Sequence, residues 1–121
     1  MTLSVTIADD SRMSRRAIIK ALPSEWDVDV HEAENGIEAL RNIRAGKAEV
    51  LFLDLQMPEM DGFQVLDYLH EHKSKIITIV ISADIQPESQ KYVLEKGAFR
   101  FLKKPLSASA LEVTLREVGL L

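Results

Sequence analysis

Five short apolar segments alternate along the chain with five segments of helical periodicity, and this alternation constrains the fold more than any other feature. The predicted strands cover residues 4–8, 28–33, 50–53, 76–81 and 99–102. Strands that alternate with helices form parallel β-α-β units with right-handed crossovers. Because five strands are too few for a closed eight-stranded barrel, the sequence predicts an α/β fold with a doubly wound, open parallel sheet of the (βα)5 type.

Capping residues divide the segments between these strands into helices. The first helix is predicted over residues 12–22, with Ser11 or Asp10 as its N-cap, because short polar side chains accept hydrogen bonds from the first turn. Pro87 suits the first turn of the fourth helix, and Ser107 caps the fifth. Residues 28–33 alternate apolar and polar side chains, which favours a strand near the edge of the sheet.

Length and composition indicate one ordinary globular domain. The chain has 121 residues, of which 46% are hydrophobic and 28% charged. A net charge of −4 argues against direct nucleic-acid binding, and the absence of cysteine excludes disulfides and thiolate metal sites. The sequence has neither a signal-peptide pattern nor an apolar run long enough to span a membrane. We therefore expect a soluble, cytoplasmic, single domain over residues 1–121, with no membrane partner and with any output domain outside this chain.

Acidic, hydroxyl and basic side chains lie at the ends of four predicted strands. Asp9 and Asp10 follow the first strand, Asp54 the third, Ser82 the fourth and Lys104 the fifth. All strands of a parallel sheet end at one edge, where open α/β sheets bind their ligands. We therefore expect these side chains to converge into one polar site.

Three crowded carboxylates favour the binding of a divalent cation. Without compensation they repel one another, whereas Mg²⁺ is commonly held by a few carboxylates together with water and phosphate oxygens. The charges of Asp9, Asp10 and Asp54 would be balanced by one Mg²⁺ and the Lys104 ammonium. Since a carboxylate can also attack phosphorus to form an aspartyl phosphate, the residue set suits phosphoryl transfer.

These motifs, in this order, resemble the receiver domains of two-component response regulators, the CheY-like family. The resemblance rests on the acidic pair Asp9-Asp10, on Asp-Leu-Gln-Met-Pro-Glu-Met-Asp-Gly beginning at Asp54, on Ser-Ala at position 82 and on Lys-Pro at position 104. It extends over essentially the whole chain. It implies a receiver domain over residues 1–121 with the flavodoxin-like strand order 2-1-3-4-5, acting in a two-component phosphorelay.

The resemblance also implies a role for each acidic residue. Asp54 would be the phosphoacceptor, and Asp10 and Asp54 would bind Mg²⁺ directly. Asp9 would support the metal through water, and Gln56 would contribute its backbone carbonyl. The cofactor implied is Mg²⁺.

Further residues would bind the phosphoryl group or respond to it. The resemblance implies that Ser82 and Lys104 hold the phosphoryl oxygens and that Phe101 takes the place of the switch aromatic. Gln56 and Asp84, each two residues beyond Asp54 and Ser82, would tune the lifetime of the phosphoryl group.

The resemblance implies protein partners rather than an external substrate. The phosphodonor would be a sensor histidine kinase or a histidine phosphotransfer protein, and the chain would catalyse only its own phosphorylation and dephosphorylation. The surface of the last two helices and the last strand would then contact a downstream effector, a fused output domain or a second copy in a homodimer. Such a module is not an enzyme in the ordinary sense.

Simpler structural roles exist for the same residues. Asp9-Asp10 could only cap the first helix, Ser82 could be an ordinary hydroxyl at a strand end, and Phe101 could be plain core. A basic stripe on the first helix is typical of a solvated face, although it could dock an acidic region of the phosphodonor; it consists of Arg12, Arg15, Arg16 and Lys20.

Three other functions would suit an aspartyl phosphate or the predicted fold. A phosphatase of the haloacid-dehalogenase type needs a second Asp two residues after the nucleophile, where this chain has Gln56. A receiver-like scaffold that is never phosphorylated should lack one of the acidic or Lys positions, and none is missing. A flavodoxin-like FMN site is disfavoured because Asp9-Asp10 would repel the phosphate.

Overall fold

A computed structural model describes residues 2–121, which form five strands and five helices in strict alternation. In chain order these elements are β1 (Leu3–Ala8), α1 (Arg12–Ala21), β2 (Val28–Ala33), α2 (Gly36–Arg44), β3 (Val50–Leu53), α3 (Gly62–Glu71), β4 (Ile77–Ser82), α4 (Pro87–Glu95), β5 (Arg100–Lys103) and α5 (Ala108–Glu117).

The five strands form one parallel sheet in the order β2-β1-β3-β4-β5, which confirms the predicted fold and strand order. β3 lies at the centre, and all four of its residues are buried. β2, predicted from its alternating pattern to lie near an edge, is an edge strand. The sequence pattern and the sheet position therefore agree, because only a strand covered on both faces is apolar throughout.

Helices cover both faces of the sheet and bury one apolar layer on each. Side chains of α2, α3 and α4 pack on one face, with Leu40, Leu66 and Val93 among the buried residues. Side chains of α1 and α5 pack on the other face, around Ile18 and Leu111. Among the described residues, no helix combines the length and apolar character needed to cross a membrane.

Element boundaries differ from the sequence prediction by one residue at several places. β4 covers Ile77–Ser82 and β5 covers Arg100–Lys103, each one residue later than expected. The reason is the parallel ladder, in which Ser82 pairs with Lys103, so a hydroxyl and an ammonium side chain belong to the strands despite their polarity. α1 ends at Ala21 with Leu22 as its C-cap, and Ser11 is its N-cap.

The loop between β3 and α3 is held by close backbone contacts at two glycines. The Gly62 N–H donates to the Leu55 carbonyl (3.0 Å), and a Cβ at Gly62 would lie 2.2 Å from the Asp54 carbonyl oxygen. At the start of α2, the Gly36 N–H donates to the Met60 carbonyl (2.9 Å), and a Cβ there would lie 2.3 Å from that oxygen. Both glycines therefore allow backbone segments to approach more closely than any side chain would permit.

Arg15 is buried, although the sequence placed it on a solvated face of the first helix. It is 5% exposed, and its Nη1 donates to the Asp9 carbonyl oxygen at 2.7 Å. Its Nε donates to Glu32 Oε1 at 2.8 Å, and Nη2 lies 3.7 Å from Glu34 Oε1. Arg15 thus joins α1 to the carboxyl ends of β1 and β2. Arg12, Arg16 and Lys20 of the predicted stripe are exposed.

We predict that Gly62→Ala lowers the free energy of unfolding by about 3 kcal/mol, as overpacked sites do. Helix propensity alone would favour Ala at this first position of α3, by about 1 kcal/mol. Gly46→Ala is the control: Gly46 has φ +75° but open space around it, so only backbone strain of about 1 kcal/mol applies. Urea unfolding of both variants checks this, and equal losses would refute steric crowding at Gly62.

We predict that Arg15→Ala lowers the free energy of unfolding by about 2 kcal/mol, because it removes charged donors from a buried carbonyl and from Glu32. Arg16→Ala removes the same side chain at an exposed neighbouring position and should stay within about 0.5 kcal/mol of the parent chain. Urea unfolding of the two variants compares them. A loss no larger at Arg15 than at Arg16 would contradict the bridging role.

Candidate functional site

Acidic side chains from two strands meet one lysine at the carboxyl edge of the sheet. Carboxylate oxygens of Asp9, Asp10 and Asp54 all lie within 4.8 Å of one another. Lys104 Nζ lies 2.7 Å from Asp9 Oδ2 and 3.2 Å from Asp54 Oδ2. The predicted convergence of these four residues is therefore present, although they are far apart in the sequence.

Backbone hydrogen bonds carry the sheet ladder one residue beyond the strands and fix the position of these side chains. The Asp9 N–H donates to the Ala33 carbonyl at 3.0 Å, and the Asp54 N–H donates to the Ala8 carbonyl at 2.9 Å. On the other side, the Lys104 N–H donates to the Ser82 carbonyl at 3.0 Å. Each side chain is therefore placed by the sheet rather than by a free loop.

Asp54 is 7% exposed, and its carboxylate contacts both a backbone donor and an ammonium group. Oδ1 accepts from the Leu55 N–H at 2.7 Å, while Oδ2 faces Lys104. Burial raises the pKa of Asp54, the charge of Lys104 lowers it, and the charge of Asp9 raises it, with a net upward shift. Because the pKa of Asp54 is higher in the folded chain than in the unfolded chain, ionisation of this carboxyl group destabilises the fold. The free energy of unfolding therefore decreases as the pH rises from the ordinary pKa of Asp through the raised one.

Lys104 is half-buried between two carboxylates. Burial by itself lowers the pKa of the Lys104 ammonium. The hydrogen bond to Asp9 and the charges of Asp54 and Asp9 outweigh that effect, so the net shift is upward. Lys104 therefore remains a cation beside Asp54. Its peptide bond to Pro105 is cis.

The Asp9 carboxylate is 1% exposed and accepts three hydrogen bonds. Oδ1 accepts from the Ser11 N–H at 2.9 Å, and Oδ2 accepts from Ser14 Oγ at 2.6 Å as well as from Lys104. The side chain that caps α1 belongs to Ser11, which accepts from the Ser14 N–H. Asp9 is therefore not merely a helix cap.

Ser14 and Arg15 both contact Asp9, and the sequence analysis did not assign either residue to the site. Ser14 bonds the carboxylate, and Arg15 bonds the backbone carbonyl. The only signal was their place in the first turn of α1, where side chains tilt toward the N-terminal end of the helix and therefore toward Asp9.

Ser82 lies buried at the end of β4, beside the strand that carries Asp54. Its Oγ accepts from the Asp84 N–H at 3.1 Å. The Asp84 carboxylate accepts from the Gln86 N–H at 3.1 Å and from Ser89 Oγ at 2.7 Å. Asp84 therefore caps the start of α4, whose N-cap residue Gln86 makes no side-chain cap bond.

Gln56 and Phe101, the other two residues that the resemblance assigns to the site, differ in their exposure. Gln56 is exposed and lines an open cleft of about 490 Å³ together with Asp84. Phe101 is half-buried and packs against the core layer under α2, α3 and α4. It precedes Lys104 by three positions at the edge strand β5.

The donor set of the cluster fits a hard divalent cation. Three carboxylates supply oxygen ligands, which Mg²⁺ prefers, and one ammonium leaves two negative charges uncompensated. Asp10 is exposed, so solvent and a cation can reach the site. The residues present therefore suit the Mg²⁺ that the resemblance implies.

Comparisons with known proteins agree with this site. A sequence model of the response regulator receiver domain matches residues 5–116. The chain is 41% identical to a protein-glutamate methylesterase/protein-glutamine glutaminase of Geobacter sulfurreducens, over 95% of this chain and 31% of that protein. It is 36% identical to the transcriptional regulatory protein SrrA of Staphylococcus aureus, over 100% of this chain and 48% of that protein. The chain thus spans less than half the length of these relatives.

Solved structures show the same fold. The signal receiver domain of the NarL response regulator from Mycobacterium tuberculosis superposes with a TM-score of 0.85 at 30% identity, covering 97% of this chain and 95% of that one. The receiver domain of a LuxO repressor protein from Vibrio parahaemolyticus gives a TM-score of 0.88 at 26% identity, covering 97% and 89%. The chain therefore belongs to the family of response regulator receiver domains, the signalling modules of two-component phosphorelays.

Proposed function

We propose that Asp54 accepts a phosphoryl group from a phosphohistidine and that the chain acts as a phosphorylation-controlled switch. The observation that supports this most is the Lys104 ammonium, which lies between Asp9 and Asp54 beside three clustered carboxylates. A carboxylate oxygen of Asp54 would attack phosphorus while the phosphorus–nitrogen bond breaks, and the leaving imidazole takes a proton from water. Hydrolysis by water would return inorganic phosphate and the free carboxylate.

Asp10 and Asp54 would bind Mg²⁺ directly, and Gln56 would add its backbone carbonyl. Asp9 would act through water, because both of its oxygens already accept hydrogen bonds from Ser11, Ser14 and Lys104. When bound, the cation would neutralise charge on the transferring phosphoryl group.

Lys104 and Ser82 would hold the phosphoryl oxygens. Lys104 already contacts Asp54 Oδ2, so a phosphoryl group there would lie within its reach. Ser82 Oγ accepts from the Asp84 N–H, which leaves the hydroxyl hydrogen to donate to a phosphoryl oxygen. Transfer would then depend chiefly on positioning and charge neutralisation.

The response would spread from Ser82 to α4, β5 and α5. Phe101 would change its packing as Ser82 moves, and this face would contact an effector, an attached output domain or a second copy of the chain. Gln56 and Asp84 line the cleft beside the site and would govern access of the hydrolytic water. The Asp84 carboxylate, engaged with Gln86 and Ser89, would link that access to α4.

The chain would act only on itself rather than on an external substrate. The activity named for the Geobacter relative belongs to that longer protein, of which this chain matches 31%. A phosphatase is disfavoured because Gln56 stands where a general acid is needed, and an unphosphorylated scaffold is disfavoured because the acidic and Lys positions are all present. A histidine kinase phosphorylates itself with ATP, which is a cytoplasmic substrate. We therefore expect the chain to act in the cytoplasm.

The phosphodonor would dock beside the site on α1 and the segment that follows β5. An apolar groove of about 460 Å³ lies there, lined by Met13, Ala17, Pro105 and Leu106, and it reaches Lys104. Met13 is 83% exposed and lines this groove, and exposed apolar surface of this kind is typical of a protein-binding site. Arg12 and Arg16 are exposed on the same helix, whereas Arg15 is not available to a partner.

We predict that the chain takes up phosphoryl from acetyl phosphate with Mg²⁺, that Asp54→Asn abolishes uptake, and that Asp29→Asn does not. Asp29 is an exposed aspartate on edge strand β2 and serves as the matched control. Intact-mass measurement reports uptake. Turnover of p-nitrophenyl phosphate would favour a phosphatase instead, and uptake by Asp54→Asn would refute the assignment.

We predict that beryllofluoride, a phosphoryl analogue, binds the chain together with Mg²⁺ and that NMR spectra report this binding. Amide NMR signals should shift in the loops after Asp54 and Ser82 and around Phe101, because those segments would respond to the bound group. The same response in Asp54→Asn would count against the mechanism.

We predict that Met13→Asp slows transfer from a phosphorylated histidine kinase by about tenfold, the effect of losing one interface anchor. Uptake from phosphoramidate should not change, because this small donor needs no docking surface. Val113→Asp, at an apolar position that is 56% exposed on α5, is the control and should leave both rates unchanged. Equal slowing with both donors would refute docking at Met13.

A further inference from the structure

Ser14 shares an acceptor atom with Lys104. Ser14 Oγ lies 2.6 Å from Asp9 Oδ2, and Lys104 Nζ lies 2.7 Å from the same oxygen. Ser14 is half-buried in the first turn of α1, where its N–H donates to the capping Ser11 Oγ at 3.1 Å. The Ser14 hydroxyl therefore reaches Asp9 from within the first turn of α1.

Phosphorylation would draw Lys104 away from Asp9, and this step rests on the proposed function. The shorter contact of Lys104 is with Asp9, at 2.7 Å, against 3.2 Å to Asp54. As Lys104 turns toward a doubly negative phosphoryl group on Asp54, its hydrogen bond to Asp9 would lengthen and weaken. Asp9 is 1% exposed, and a buried carboxylate oxygen without a donor is unfavourable.

We propose that Ser14 is a positioning residue that keeps Asp9 Oδ2 hydrogen-bonded while Lys104 shifts to the phosphoryl group on Asp54. A neutral hydroxyl suits this role, because it donates to the carboxylate without placing a second positive charge beside Lys104. Arg15 holds the Asp9 backbone carbonyl at 2.7 Å, so Asp9 stays in place when the lysine moves.

The proposal predicts a selective defect in Ser14→Ala. Binding of beryllofluoride at saturating Mg²⁺ should weaken about tenfold, since in this variant Asp9 Oδ2 loses its last donor only when Lys104 transfers. Binding of Mg²⁺ alone should change by less than about twofold, because Lys104 still satisfies Asp9 before the transfer. Calorimetric titration measures both affinities.

Two further variants separate this role from helix stability. Ser14→Thr keeps a hydroxyl at the same position and should restore beryllofluoride affinity to within about twofold. Ser11→Ala removes the side-chain cap of α1 but leaves the Ser14 hydroxyl, so its beryllofluoride affinity should equal that of the parent chain. Urea unfolding confirms that each variant is folded.

The Ser14 variant and the parent chain test different claims. If Ser14→Ala binds beryllofluoride as well as the parent chain, or loses Mg²⁺ affinity by the same factor, Ser14 does not assist the transfer of Lys104. If the parent chain itself shows no beryllofluoride binding that depends on Asp54, the phosphoacceptor assignment fails instead.

Discussion

One ammonium group is shared by two buried carboxylates at the carboxyl edge of the sheet, and the remaining features of the site depend on this sharing. Asp9 and Asp54 come from neighbouring strands, and the ladder places them so close that their charges repel. Lys104, from the far edge strand, relieves that repulsion only in part. The net negative charge that remains would favour a divalent cation, and the cation in turn would admit an anionic phosphoryl group.

The general plan of the site could be predicted because a parallel sheet brings the residues at the ends of separate strands together at one edge. Asp9, Asp54, Ser82 and Lys104 end strands that must finish at one edge, so their convergence needed only the correct strand assignment. Strand boundaries were less predictable. Ser82 and Lys103 pair with each other inside the ladder, and backbone hydrogen bonds rather than side-chain polarity decide where a strand stops.

The supporting contacts around the site could not be predicted, because sequence shows residue types but not the direction of individual side chains. Arg15 and Arg16 are adjacent and chemically identical, yet one is 5% exposed and the other is exposed to solvent. A rotation of about 100° between neighbouring helical residues produces that difference. Ser14 was equally inconspicuous, since a serine in a first turn usually has no role beyond solvation or local capping.

The two sides of the site differ in how their loops are held in place. On one side, the Met60 carbonyl is bonded to Gly36 of α2, and Gly62 is pressed against the backbone of Asp54. On the other side, the segment after Ser82 bonds mostly to itself and to α4 through Asp84. If Asp54 carries the proposed phosphoryl group, these contacts would oppose a displacement toward α2, and the segment after Ser82 would pass it toward α4 instead.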